Sequence, residues 1–400
     1  MRKALVGTVL VLWGCNGRSS RPAARPADAI GPATCWQVFL EREGPRLRRQ
    51  KLALVAHRPT RTLLDSLLDK GFSVVRVYAP EHGLFGEKAA GHRVEDTIYR
   101  GVPVVSLYGR RKAPTPEELA QAEAVIFALR DVGVRHYTYL STLALLLEAA
   151  AQAQRPVYVL DFPNPHAHYT YGPLLDSSLF SFVGMHAVPL VPGLSIGEYA
   201  QLLVGEGWVP RVPLIVVPWP GWRRGDPLPK VAPFFTEPPS PALRDTLALE
   251  LYPILGWYEG VPAVSVGRGT DRPFQQVGLA TPALPPRLDT VIYGYRLEPV
   301  TFQPDREKTL YTGWRLSRVY RGPVQPDSLF RVGFWLLRTF RQAWPPSAGP
   351  FFQEEFFDKL FGTPLLRWME EKNLPIDTLY RAFEAPTSWQ ALRQRYATLY

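Results

Sequence analysis

KLALVAHRPTRTLLDSLLDKGFSVVRVYAPEHG, residues 51–83, decides the fold. After its lysine, KLALVA is an unbroken apolar run, as expected of a strand covered on both faces. RTLLDSLLDKG spaces its leucines for one face of a helix and closes on Gly71, a residue that stops helices. SVVRVYA is a second run of β-formers, and it ends at Pro80. Strand, helix, strand is the repeating unit of a parallel sheet.

The alternation continues outward. VPVVSLYG (102–109) and EAVIFAL (123–129) read as strands on either side of a helix start at Thr115-Pro116-Glu117-Glu118, a capping box with proline at the first helical position. TYLSTLALLLEAAAQA (138–153) reads as a helix and RPVYVLD (155–161) as another strand. The expected fold is α/β: a Rossmann-like parallel-sheet domain over 46–210, followed by a smaller mixed α+β, barrel-like domain over 211–400 that carries terminal helices. In that second part VPLIVVPW (212–219) reads as a strand, and Ser240-Pro241 as a helix start. DTVIYGYRL, VTFQP and GWRLSRVY read as antiparallel strands, and PDSLFRVGFWLLRTFRQAW as an amphipathic helix.

Ligands of open parallel sheets bind beyond the carboxyl ends of the strands. The residues found there are Glu81 and His82 after the second run, Tyr108 after the next, Asp131, Arg135, Tyr137 and Tyr139 after EAVIFAL, and Asp161 and Asn164 after RPVYVLD. A turn needs one glycine. Here Gly83, Gly86 and Gly91 follow an acid and an imidazole, which suits a loop passing close to a ligand.

Several chemistries are excluded. No G-x-G-x-x-G opens the first helix, so a dinucleotide site lacks its fingerprint. Gly193-Leu194-Ser195-Ile196-Gly197 matches a nucleophile elbow, but no histidine follows His186, so the ordered triad cannot be built; Ser195 and Glu198 fit a helix capping box instead. His166 and His168 lack the further ligands that a metal centre requires. Neither metal nor cofactor is expected. Lys and Arg exceed Asp and Glu for a net charge of +10, but they are scattered and form no nucleic-acid module.

The first fifteen residues carry Arg2 and Lys3, then ALVGTVLVLW, then Gly14-Cys15. This reads as a lipoprotein-type export signal, too short to span a membrane, with Cys15 as the acylated residue. Residues 16–45 read as a tether. The expected location is periplasmic or outer-surface, with membrane contact only through a lipid on Cys15. Without that lipid, a Cys15–Cys35 bridge would staple only the tail.

The chain resembles the bacterial exo-β-N-acetylmuramidases of the NamZ type. PEHGLFGE (80–87), DVGVRHYTYLSTL (131–143), D-x-PNP (161–165), SFVG (181–184), SIGEYA (195–200), PGWRR (220–224), SVGRGTD-x-PF (265–274) and FDKLFGT (357–363) carry the resemblance, in order along nearly the whole chain. It implies an active site in a cleft between a Rossmann-like and a barrel-like domain. It also implies a peptidoglycan-derived saccharide as partner, with removal of its terminal N-acetylmuramic acid. Glu81, in the family's Pro-Glu-His-Gly motif, is the candidate general acid, with His82 beside it. Asp131 is a candidate for positioning water or stabilising positive charge, and Glu259 and Asp271 are alternatives. The substrate's own N-acetyl group is a further nucleophile to consider. Arg135 and Arg268 suit a two-point contact with a lactyl carboxylate, and Tyr137, Tyr139 and Asn164 suit sugar contacts. The chain departs from the family pattern at His57-Arg58, Phe162, Pro192–Ser195, Val261-Pro262 and Gln275. These departures motivate a second expectation, a non-catalytic glycan-binding protein on the same scaffold.

Overall fold

The structure, a computed structural model, describes residues 35–86, 95–226, 237–281, 289–305 and 307–400. The expected export signal, Cys15 and the alternative of a bridge to Cys35 lie outside the described residues; among the described residues Cys35 is a free, buried thiol. Residues 33–400 form one compact unit.

Seven strands make the larger sheet: β1 (Lys51–Ala56), β2 (Ser73–Ala79), β3 (Thr97–Tyr99), β4 (Val102–Ser106), β5 (Ala124–Ala128), β6 (Val157–Leu160) and β7 (Leu214–Val217), in the order β3-β4-β2-β1-β5-β6-β7. All neighbours are parallel except β3, a short antiparallel edge on β4 that the sequence reading did not anticipate. β1 and β5 are buried along almost their whole length, which is why both read as unbroken apolar runs. The chain moves one way from β1 to β2 and the other way from β1 to β5, so the switch point lies between β1 and β5.

Two boundaries differ from expectation. VPLIVVPW was assigned to the second part, but it supplies β7, which pairs in parallel with β6 from Val157↔Leu214 to Leu160↔Val217 and extends the first sheet. The tether ends earlier than residue 45: Cys35–Arg42 is a helix, α1, because CWQVFLER presents an apolar face. Cys35 and Phe39 are fully buried there, with the Phe39 ring 5.5 Å from that of Tyr158 on β6.

A separate five-stranded antiparallel sheet follows: β8 (Val264–Ser265), β9 (Gln276–Leu279), β10 (Thr290–Ile292), β11 (Tyr295–Phe302) and β12 (Tyr311–Arg318), in the order β10-β11-β12-β9-β8. The amphipathic helix Pro326–Ala343 buries Leu329, Phe330, Phe334, Leu337 and Phe340. Ser240-Pro241 forms a turn rather than a helix start. The helix begins at Thr246, where the Asp245 carboxylate accepts from the Ala248 N–H, so the stronger cap lies a few residues downstream.

Candidate active site

A cavity of about 400 Å³ opens beyond the carboxyl ends of β2, β4 and β5. Glu81 and His82 line it from the loop after β2, Tyr108 and Lys112 from the segment after β4, and His136, Tyr137, Thr138 and Tyr139 from the segment after β5. Tyr252, Glu259 and Arg268 close it from the second part of the chain. The size suits one or two sugar rings.

The wall behind Glu81 is a run of aromatic rings. Tyr139 packs on Tyr137 with centroids 4.6 Å apart, Tyr137 on Tyr252 at 6.0 Å, and Tyr252 on Phe274 at 5.0 Å. Arg268 lies over the Phe274 ring at 4.7 Å and gives its Nε and Nη2 to Glu259 Oε1 at 2.6 and 2.5 Å. Burial pushes the Tyr139 hydroxyl up, with the charges of Glu81 and Asp131 adding to the shift and the hydrogen bond with Tyr137 opposing it. The charge of Glu81 is also felt at Tyr252 and Arg268, which line the same cavity.

His82 is held at φ +74°, a left-handed conformation that costs a non-glycine residue about 1 kcal/mol. The strain keeps an imidazole on the cavity wall where glycine would sit more comfortably. His82→Gly is therefore expected to leave unfolding stability equal or up to about 1 kcal/mol higher, while turnover in the cavity falls at least about tenfold. Denaturant unfolding beside initial rates checks both halves, and unchanged rates would remove His82 from the site.

His57, at the end of β1, supports this wall from behind. Its Nε2 accepts from the Arg130 N–H at 3.1 Å, so Nδ1 carries the proton and donates to the Tyr139 hydroxyl at 3.1 Å. Burial, reinforced by Arg130, holds the ring neutral.

Four expected site residues do not line the cavity. Arg135 is buried, and its guanidinium donates to the carbonyls of Pro173, Val188 and Leu360 at 3.3, 3.0 and 3.0 Å. It ties the loops under the cavity together through both Nη atoms, and its Nε is buried away from the cavity without a hydrogen-bond partner among the described residues. Asn164 is a turn residue: Nδ2 donates to the Leu194 carbonyl and Oδ1 accepts from the His166 N–H, both at 2.7 Å. Its side chain fills the space that a Cβ on Gly133 would occupy, 1.9 Å from such an atom. Asp271 points outward beside Arg272, because the turn that aims Arg268 inward sends Asp271 to the surface.

Asp131 lies behind the tyrosines. Its Oδ2 accepts from the Gly133 N–H at 2.7 Å, while the buried Oδ1 has no hydrogen-bond partner among the described residues. Burial pushes this carboxyl from 3.8 up to about 7. The folded protein therefore holds a proton between about pH 4 and 7 that the unfolded chain has released. Stability from this group is fully present below about pH 4 and is lost as pH rises through about 7, by up to roughly 4 kcal/mol. Asp161, pushed up to about 7 by burial, acts with the same sign. Asp131→Asn should flatten much of this slope, as measured by urea midpoints from pH 4 to 8. An unaltered slope would mean that Asp131 is ionised in the fold.

Comparison with known proteins agrees with this architecture. Residues 53–247 match the sequence model of the N-terminal domain of exo-β-N-acetylmuramidase NamZ, and residues 250–400 match that of its C-terminal domain. The chain belongs to the NamZ family. It is 32% identical over 407 residues to the peptidoglycan β-N-acetylmuramidase NamZ of Bacillus subtilis, covering 96% of each chain. Two crystal structures of DUF1343 family proteins from Bacteroides fragilis share the fold. One is 26% identical with a TM-score of 0.73 over 92% of this chain and 99% of its own; the other is 23% identical with a TM-score of 0.75 over 91% and 98%.

Within this NamZ-family chain, most of the unusual positions sit away from the cavity. Phe162 is buried against Trp219 at 5.6 Å, with Arg130 over its ring at 5.3 Å. Gln275 is buried and donates to Asp245 at 2.7 Å. Ser195 caps its helix and donates to Asp161 at 2.6 Å. The sequence reading missed Lys112, His136 and Tyr252 as lining residues. Lys112 and His136 had a usable signal, since each follows a strand at the same rim as Glu81.

Proposed function

We propose that this protein is an exported glycoside hydrolase that removes non-reducing terminal N-acetylmuramic acid from peptidoglycan fragments. The observation that carries the reading is Glu81, the glutamate of the Pro-Glu-His-Gly motif, on the wall of an aromatic-lined cavity in a chain related end to end to a peptidoglycan β-N-acetylmuramidase. Glycoside hydrolysis commonly requires a carboxylic acid to protonate the leaving oxygen and a second group on the other face of the ring. Glu81 supplies the proton as the bond to the anomeric carbon breaks. Glu259, steadied by Arg268, is the other carboxylate lining the cavity among the described residues. Water completes the reaction: its oxygen bonds to the anomeric carbon, and the proton it loses is taken up by one of these two carboxylates. The charged start and apolar run before Cys15 support export.

The test is incubation of the tag-free protein with a chromogenic β-N-acetylmuramide and with digested peptidoglycan. Release of free N-acetylmuramic acid from both is expected. Tight sugar binding without release would replace the hydrolase by a glycan-binding protein.

A further inference from the structure

The charges of the cavity are unequally matched. Arg268 is committed to Glu259 through both Nε and Nη2. Arg135, the other arginine suited by sequence to a substrate carboxylate, is buried and bound to backbone carbonyls. Lys112 differs from both: it lines the cavity and makes no ion pair among the described residues. Its ammonium lies 4.4 Å from the centroid of the Phe182 ring and 5.1 Å from that of Tyr108, and both rings line the same cavity. Aromatic faces hold a cation in place without neutralising it. An anion entering here would otherwise meet Glu81 and Glu259 against a single arginine.

We propose that Lys112, seated over Phe182 and Tyr108, is the specificity-determining contact for a carboxylate on the substrate. In the reading above, on which this inference rests, that carboxylate is the lactyl ether acid that distinguishes N-acetylmuramic acid from N-acetylglucosamine. Lysine presents a compact point charge on a flexible stem, which suits a carboxylate that rotates about an ether. The two rings restrict that stem before the sugar arrives, so little ordering remains when the ion pair forms.

Calorimetric titration compares N-acetylmuramic acid with the derivative in which its lactyl carboxyl is a carboxamide, of equal size but uncharged. Wild type should prefer the acid by roughly ten- to a hundredfold, the range of a charge-assisted contact. In Lys112→Met the ratio should fall to near one, and Lys112→Arg should restore most of it by returning the charge. Melting curves establish that both variants are folded. Wild type that binds acid and amide equally, or binds neither at millimolar concentration, overturns the proposal without any variant. So does a folded Lys112→Met that keeps the preference for the acid. The hydrolase reading fails separately: a protein that turns over no muramide but shows a Lys112-dependent preference retains this contact and loses the activity.

Discussion

Glu81→Gln should lower kcat for release of N-acetylmuramic acid from a natural disaccharide by about 10²–10⁴-fold, with the fold unchanged. Glutamine has the shape of the glutamic acid but no proton to give. The position is only partly buried on the cavity wall, so stability should move by no more than about 0.5 kcal/mol. The leaving group adds a second readout. A sugar alkoxide is a poor leaving group and needs protonation, whereas a nitrophenolate leaves without it. The loss should therefore be large on the disaccharide and much smaller on an activated aryl glycoside, at similar KM. Equal losses on both substrates would assign Glu81 to electrostatic stabilisation rather than proton donation. No loss on either would remove it from the mechanism.

The parallel sheet was legible because its strands are buried on both faces and therefore read as apolar runs, as KLALVA and EAVIFAL do. The rim was legible by the same logic, since the residues after β2, β4 and β5 had to emerge together. Sequence could not tell which rim residues face the cavity. Asp131, Arg135 and Tyr137 lie close together after β5, yet Tyr137 faces the cavity while Arg135 turns beneath it. That difference is set by partners far along the chain, such as the Leu360 carbonyl for Arg135 and the Pro239 carbonyl for the Tyr137 hydroxyl at 3.0 Å. Periodicity carries no information about such contacts. The same holds for β7, whose apolar run fits either sheet until its pairing with β6 is known.

Arg135→Met should destabilise the protein by about 3 kcal/mol or more, and this is the largest stability loss expected of any single change at an anticipated site residue. The guanidinium is almost completely buried, and burial pushes it down to about 9, still charged at neutral pH. It is retained because it satisfies the carbonyls of Pro173 and Val188 from one loop and of Leu360 from the helix Glu354–Phe361. Methionine fills the same volume and removes the buried charge, which is a gain. It also removes the Arg135 donors from the Pro173 and Leu360 carbonyls, each at a cost of about 1–3 kcal/mol, and that loss is larger; the Val188 carbonyl keeps its bond from the Leu175 N–H. Gly362 packs so close to the guanidinium that a Cβ there would fall 2.6 Å from Nη2, leaving water little space to substitute. Denaturant unfolding should show a lowered midpoint. At a temperature where the variant remains folded, KM for the acid sugar should stay near the wild-type value, because Arg135 does not reach the cavity. A variant of normal stability with KM raised tenfold or more would return Arg135 to the substrate and reverse its assignment as a structural tie.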